Sequence, residues 1–83
     1  MISRILVVDD EENIRFTFDS FLSDEGYTVT TASSLQEGKK LLQEQEFDLI
    51  FLDILLGRES GLEILREVRE KGLQTPVVMI TGA

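Results

Sequence analysis

The chain has 83 residues, with 16 acidic against 8 basic side chains, a formal net charge of −8 and 42% apolar residues. The apolar content suits one small globular domain rather than a disordered polar segment, and the acidic balance argues against nucleic acid as a partner, because phosphate contacts need Lys and Arg. With no cysteine and no histidine, disulfides, thiol chemistry, a Ser-His-Asp triad and an imidazole zinc ligand are excluded.

Residues 4–9 predict a first buried strand around Ile5-Leu6-Val7-Val8, ending in Asp9 and Asp10. A polar turn follows, and Ile14, Phe18, Phe21 and Leu22 keep the spacing of one buried helix face over residues 12–24. Gly26 suits a left-handed stop. Residues 27–31 are short, β-branched and more polar than the first strand, which predicts an edge strand. Ser34-x-x-Glu37 fits a capping box, with Ser33-x-x-Gln36 as an overlapping alternative. The second helix then runs to about residue 45, with Leu35, Leu41 and Leu42 inward and Gly38 marking close packing on the sheet.

Phe47-Asp48-Leu49-Ile50-Phe51-Leu52-Asp53 is mostly large and apolar and ends in an acid, as expected of a central strand covered on both faces. Residues 54–61 read as a loop with two glycines. A third helix covers residues 62–71 with Leu62, Leu65 and Val68 on one face, and Gly72 closes it. Pro76 opens the last strand, residues 77–80, before Thr81-Gly82-Ala83. The order β-α-β-α-β-α-β predicts an α/β fold with right-handed crossovers and an open parallel sheet. There is no internal repeat, signal-peptide pattern or apolar run long enough to cross a bilayer.

Asp9, Asp10, Asp53 and Thr81 all fall at the carboxyl ends of expected strands, where open α/β sheets place ligand crevices. Singly, each has a structural explanation: Asp10 as a helix cap, Asp53 as the start of a turn, Thr81 as a β-branched strand terminus. Three carboxylates on one rim are costly together, which favours a use for them. Mg2+, a hard cation that takes oxygen ligands, is the natural counter-charge.

On these residues the chain resembles the receiver domain of bacterial response regulators in two-component signalling. Ile5-Leu6-Val7-Val8-Asp9-Asp10-Glu11 matches the opening strand and acidic pair, Asp53 the phosphoacceptor, and Gly61 the glycine eight residues further on. Thr75-Pro76-Val77-Val78-Met79-Ile80-Thr81-Gly82 matches the fourth strand and its switch hydroxyl. The resemblance implies a flavodoxin-like (βα)n sheet of strand order 2-1-3-4-5. It implies phosphoryl transfer to Asp53 from a histidine kinase or phosphotransfer protein in the cytoplasm, with no turnover of a separate substrate. Mg2+ would be held by Asp9, Asp10, Asp53 and the backbone carbonyl of Leu55. Backbone N–H groups at Ile54 and Gly82 would hold phosphoryl oxygens, and Thr81 would act as the switch.

Three departures from that family stand out. The fifth strand, which carries a lysine, and the last two helices are not in this sequence, so residues 1–83 read as a single partial receiver domain. None of Lys39, Lys40 and Lys71 takes the lysine's place, and the aromatic switch residue of the fifth strand is missing with it. Where the family often has Met-Pro-Gly after the phosphoacceptor, this chain has Leu56-Gly57-Arg58, which predicts a more flexible loop. The uncovered helix face and the edge of residues 77–81 are expected to favour self-association. The alternative function is a phosphorylation-incompetent assembly module. An Asp-nucleophile phosphatase fits less well, because its Asp-x-Asp stands on the first strand, and no nucleotide-binding glycine loop occurs.

Overall fold

The computed structural model describes residues 2–80. Its main sheet has four parallel strands: β1 (Arg4–Val8), β2 (Thr28–Ala32), β3 (Leu49–Asp53) and, as the last strand in the chain, β6 (Val77–Ile80), in the order β2-β1-β3-β6. Three helices connect them: α1 (Glu12–Asp24), α2 (Leu35–Glu44) and α3 (Leu62–Glu70). The expected strand order, the alternation of strands with helices and the polar edge strand β2 are all present. No helix among the described residues is long and apolar enough to cross a membrane.

Strand periodicity divides the side chains between two faces. In register, Leu6 lies beside Ile50 and Val8 beside Leu52, with Val77 and Met79 following on β6. This face packs with Leu35, Ile64 and Val68 of α2 and α3 to form the main core. Gly38 is part of that closeness: a Cβ there would stand 2.8 Å from Ile64 Cδ1 and 3.4 Å from the Val8 methyls. The opposite face carries Ile5, Val7 and Phe51 and is covered by α1, whose Phe18 ring lies 4.9 Å from that of Phe51.

The helix termini follow local chemistry. Ser34 is the N-cap of α2, its hydroxyl accepting from the Glu37 N–H at 3.1 Å. The Glu37 carboxylate reaches back to the N–H of Ser33 at 2.7 Å, one residue before the cap itself. The capping box therefore forms on the Ser34 register, with its return bond displaced by a residue. At the amino end of the sheet, the Asp48 carboxylate accepts from the N–H groups of Arg4 and Ser3 and from the Ser3 hydroxyl. These bonds, that to Arg4 foremost, hold its pKa below the usual carboxylate value.

Three expectations need correction. The stretch read as an irregular loop contains a short antiparallel hairpin, β4 (Leu55–Leu56) with β5 (Glu59–Ser60). Gly57 has φ +65° and, among the described residues, no non-glycine residue has positive φ, the pattern of a type II′ turn, which needs a positive φ only at its first central residue. Gly57 thus shapes a regular two-residue turn within that stretch. In α3 the buried residues are Ile64 and Val68, while Leu62 is 50% exposed. Ile64 and Val68 are four residues apart and share the stripe that faces α2 and the sheet. In α1, Phe21 is 66% exposed, because the helix covers β1 and β2 and leaves the β6 side of that face open.

Candidate functional site

β1 and β3 are adjacent and in register, Val8 beside Leu52. The next residue of each strand is an aspartate, so parallel pairing alone delivers Asp9 and Asp53 to one rim. Asp10 follows at the start of the connection to α1. One carboxylate oxygen from each of Asp9, Asp10 and Asp53 lies within 4.8 Å of the other two. Asp9 is 3% and Asp53 7% exposed, while Asp10 faces solvent.

Each acid is tied to backbone. The N–H of Glu11 donates to Asp9 Oδ1 at 2.9 Å, that of Leu55 to Asp53 Oδ1 at 3.2 Å, and that of Gly57 to Asp10 Oδ2 at 3.1 Å. Burial raises the Asp9 pKa above its ordinary value. The Glu11 N–H opposes that shift, and the charges of Asp53 and Asp10 add to it. A buried acid destabilised by its neighbours, in a set of donors made only of oxygen, fits a hard divalent cation.

Among the described residues, no lysine or arginine forms an ion pair with the three acids: Lys39 pairs with Glu63 and Lys71 with Glu67. A basic group does reach the rim: the Arg15 guanidinium donates to the carbonyl of Asp9 at 2.8 Å. It fixes the backbone at the end of β1 and does not cap a carboxylate. The sequence reading missed Arg15; its only signal there is a place one helical turn inside α1, which many surface arginines share.

The other expected site residues are placed as follows. Ile54 and Leu55 directly follow Asp53, and the Ile54 carbonyl accepts from the Gly61 N–H at 2.6 Å. Ile80, the last described residue, pairs with Asp53; Thr81 and Gly82 lie outside the described residues. A cleft of about 430 Å³ lined by residues including Phe47, Asp48, Leu73 and Thr75 sits at the opposite, amino-terminal rim, away from the three acids.

A family model described as the response regulator receiver domain matches residues 5–83. The alginate biosynthesis transcriptional regulatory protein AlgB of Pseudomonas aeruginosa is 50% identical over 79 residues, which are 95% of this chain and 18% of that protein. The alkaline phosphatase synthesis transcriptional regulatory protein PhoP of Bacillus subtilis is 40% identical over 82 residues, 99% of this chain and 34% of its own length. The chain therefore spans no more than about a third of these curated relatives. Among solved structures, the response regulator TrrA of Thermotoga maritima, in complex with Mg2+ and BeF, matches with a TM-score of 0.87 at 38% identity, over 99% of this chain and 71% of its own.

Proposed function

The chain belongs to the response regulator receiver domain family, and from that premise we propose that Asp53 accepts a phosphoryl group from a histidine kinase or a phosphotransfer protein. The observation that carries the proposal is the convergence of buried Asp53 with Asp9 and Asp10 within 4.8 Å. Asp53 Oδ attacks phosphorus as the P–N bond of the donor's phosphohistidine breaks, and the bonding pair returns to the imidazole nitrogen. Asp9, Asp10, Asp53 and the Leu55 carbonyl would hold Mg2+, which when bound offsets charge on the transferring group. Backbone N–H groups of Ile54 and Gly82 would hold the phosphoryl oxygens. Thr81 would turn its hydroxyl to the phosphoryl group and bias a two-state loop.

Such a chain is a signalling module that is phosphorylated once per cycle, not a turnover enzyme, and it would work in the cytoplasm, with residues 1–83 belonging to one receiver domain. The formal net charge of −8 leaves DNA contact to another partner. Incubated with Mg2+ and acetyl phosphate, the chain should gain one phosphoryl adduct by intact mass, and Asp53→Asn should gain none. An adduct that persists in the variant, or none on the parent, would remove Asp53 from this role.

A second reading, an assembly module that is not phosphorylated, is favoured by the open side of the sheet. Phe21 is 66% and Val78 44% exposed there, beside a shallow apolar cleft lined by Phe18, Leu22 and Phe51. On either reading this face is proposed to drive self-association, together with the edge of residues 77–81. Sedimentation over a range of concentrations should show reversible association that Phe21→Glu weakens; a monomer at every concentration would count against it.

A further inference from the structure

We infer that the backbone N–H of Gly57 is a positioning group for Asp10, and so for cation binding at the acidic rim; the inference rests on the reading of Asp10 as a metal ligand.

The structural reading of Asp10 was a helix cap, and the geometry does not support it. The N-cap of α1 is Glu11, and no side chain caps that helix. The carboxylate of Asp10 instead crosses 47 positions of sequence to accept from Gly57 at 3.1 Å. Asp10 is also the exposed member of the three acids. Repulsion from Asp9 and Asp53 favours rotamers that swing it into water, and no hydrogen bond to the adjoining start of α1 opposes that. A single backbone donor on Oδ2 holds it inward, and Oδ1 has no hydrogen-bond partner among the described residues.

The turn is built to present this donor. Gly57 stands at φ +65° as the first central residue between β4 and β5. A proline, the residue often found at this point in the family, has no N–H and a φ near −65°. It can supply neither the donor nor the turn. The same hairpin is anchored on the phosphoacceptor side by the Leu55 N–H on Asp53 Oδ1 and by the Gly61 N–H on the Ile54 carbonyl. The hairpin is thus a backbone strut between two carboxylates of the site. Outer groups that orient metal-bound carboxylates commonly change affinity by about 10–100-fold when lost.

The test uses chemically synthesised 83-residue chains and Mg2+ titration by calorimetry, with the urea midpoint measured without Mg2+. Replacing Gly57 by glycolic acid turns its N–H into an ester oxygen and keeps the backbone torsions. Gly57→D-Ala keeps both the N–H and a positive φ. The ester chain should bind Mg2+ about tenfold more weakly, with its metal-free midpoint little changed, and the D-Ala chain should bind as the parent does. An ester chain within twofold of the parent overturns the inference, as does equal weakening by D-Ala. Failure of the underlying reading looks different: the parent itself would not bind Mg2+, or Asp10→Ala would bind as well as the parent.

Discussion

Replacing Gly61 by alanine should cost about 3 kcal/mol of stability, the upper end for forced overpacking, and should cut the yield of the Asp53 phosphoryl adduct. The reason is space alone. Gly61 has φ −62° and ψ −19°, which any residue adopts. A Cβ there, however, would stand 1.9 Å from the carbonyl oxygen of Asp53, 3.0 Å from its carbonyl carbon and 3.2 Å from Leu52 Cδ1. That oxygen is backbone at the end of a central strand and has no rotamer into which to retreat. Either α3 backs away from the sheet, losing contacts of Ile64 and Val68, or Asp53 shifts and leaves the geometry it shares with Asp9 and Asp10. Urea denaturation of the two chains measures the loss. Gly72→Ala is the control: φ is +75° and nothing lies within 4 Å, so only torsional strain of roughly 1–2 kcal/mol is expected. A Gly61 variant no worse than the Gly72 variant would refute the steric account.

The contrast between these glycines shows what sequence could and could not reveal. Positive φ is a local demand, and Gly26 and Gly72 were read as helix stops from position alone; both have positive φ. The close approach of Gly61 to Asp53 is a tertiary fact. Only the resemblance to receiver domains marked that glycine, and its spacing gave no reason. The convergence of Asp9, Asp10 and Asp53 was legible because it follows from two local features, an apolar run ending in an acid and parallel pairing of the two runs. The bonds from Gly57 to Asp10 and from Arg15 to the Asp9 carbonyl were not. Each joins groups whose meeting depends on the turn type or on where α1 sits on the sheet. The stripe of α3 was legible in part, for a related reason: Val68 is buried and Leu65 packs against the core, while Leu62 is exposed and Ile64 takes the inward place. Leu62, through Leu65, and Ile64 both keep a helical spacing to Val68, and only the packing of α3 against α2 and the sheet selects Ile64.

Asp9→Asn should make the metal-free chain more stable at pH 7 while weakening its response to Mg2+. Asp9 is nearly buried and its pKa is raised above the ordinary aspartate value, by burial first and then by the charges of Asp53 and Asp10. The folded chain therefore binds this proton more tightly than the unfolded chain, so the group's contribution is fully present below pH about 4 and is lost as pH rises through the raised value. At neutral pH the ionised carboxylate opposes folding. Asp48 works in the opposite direction: its lowered pKa gives stability above the unfolded value that is lost as pH falls through the folded one, so the pH profile of the parent reflects both. Asparagine removes the charge of Asp9 and keeps an oxygen for the Glu11 N–H, and a gain of about 1 kcal/mol is in the range for relieving such a site. That gain should shrink as pH falls through the raised value and be gone below about 4, where aspartate is neutral in both the folded and the unfolded chain. Saturating Mg2+ should raise the midpoint of the parent by mass action and raise that of the variant far less, so the two converge or cross. Urea midpoints at acid and neutral pH, with and without Mg2+, test all of this together. A variant less stable than the parent at pH 7 without Mg2+ would mean that Asp9 supports the fold, and that its burial beside two other acids is not a cost met by a bound cation.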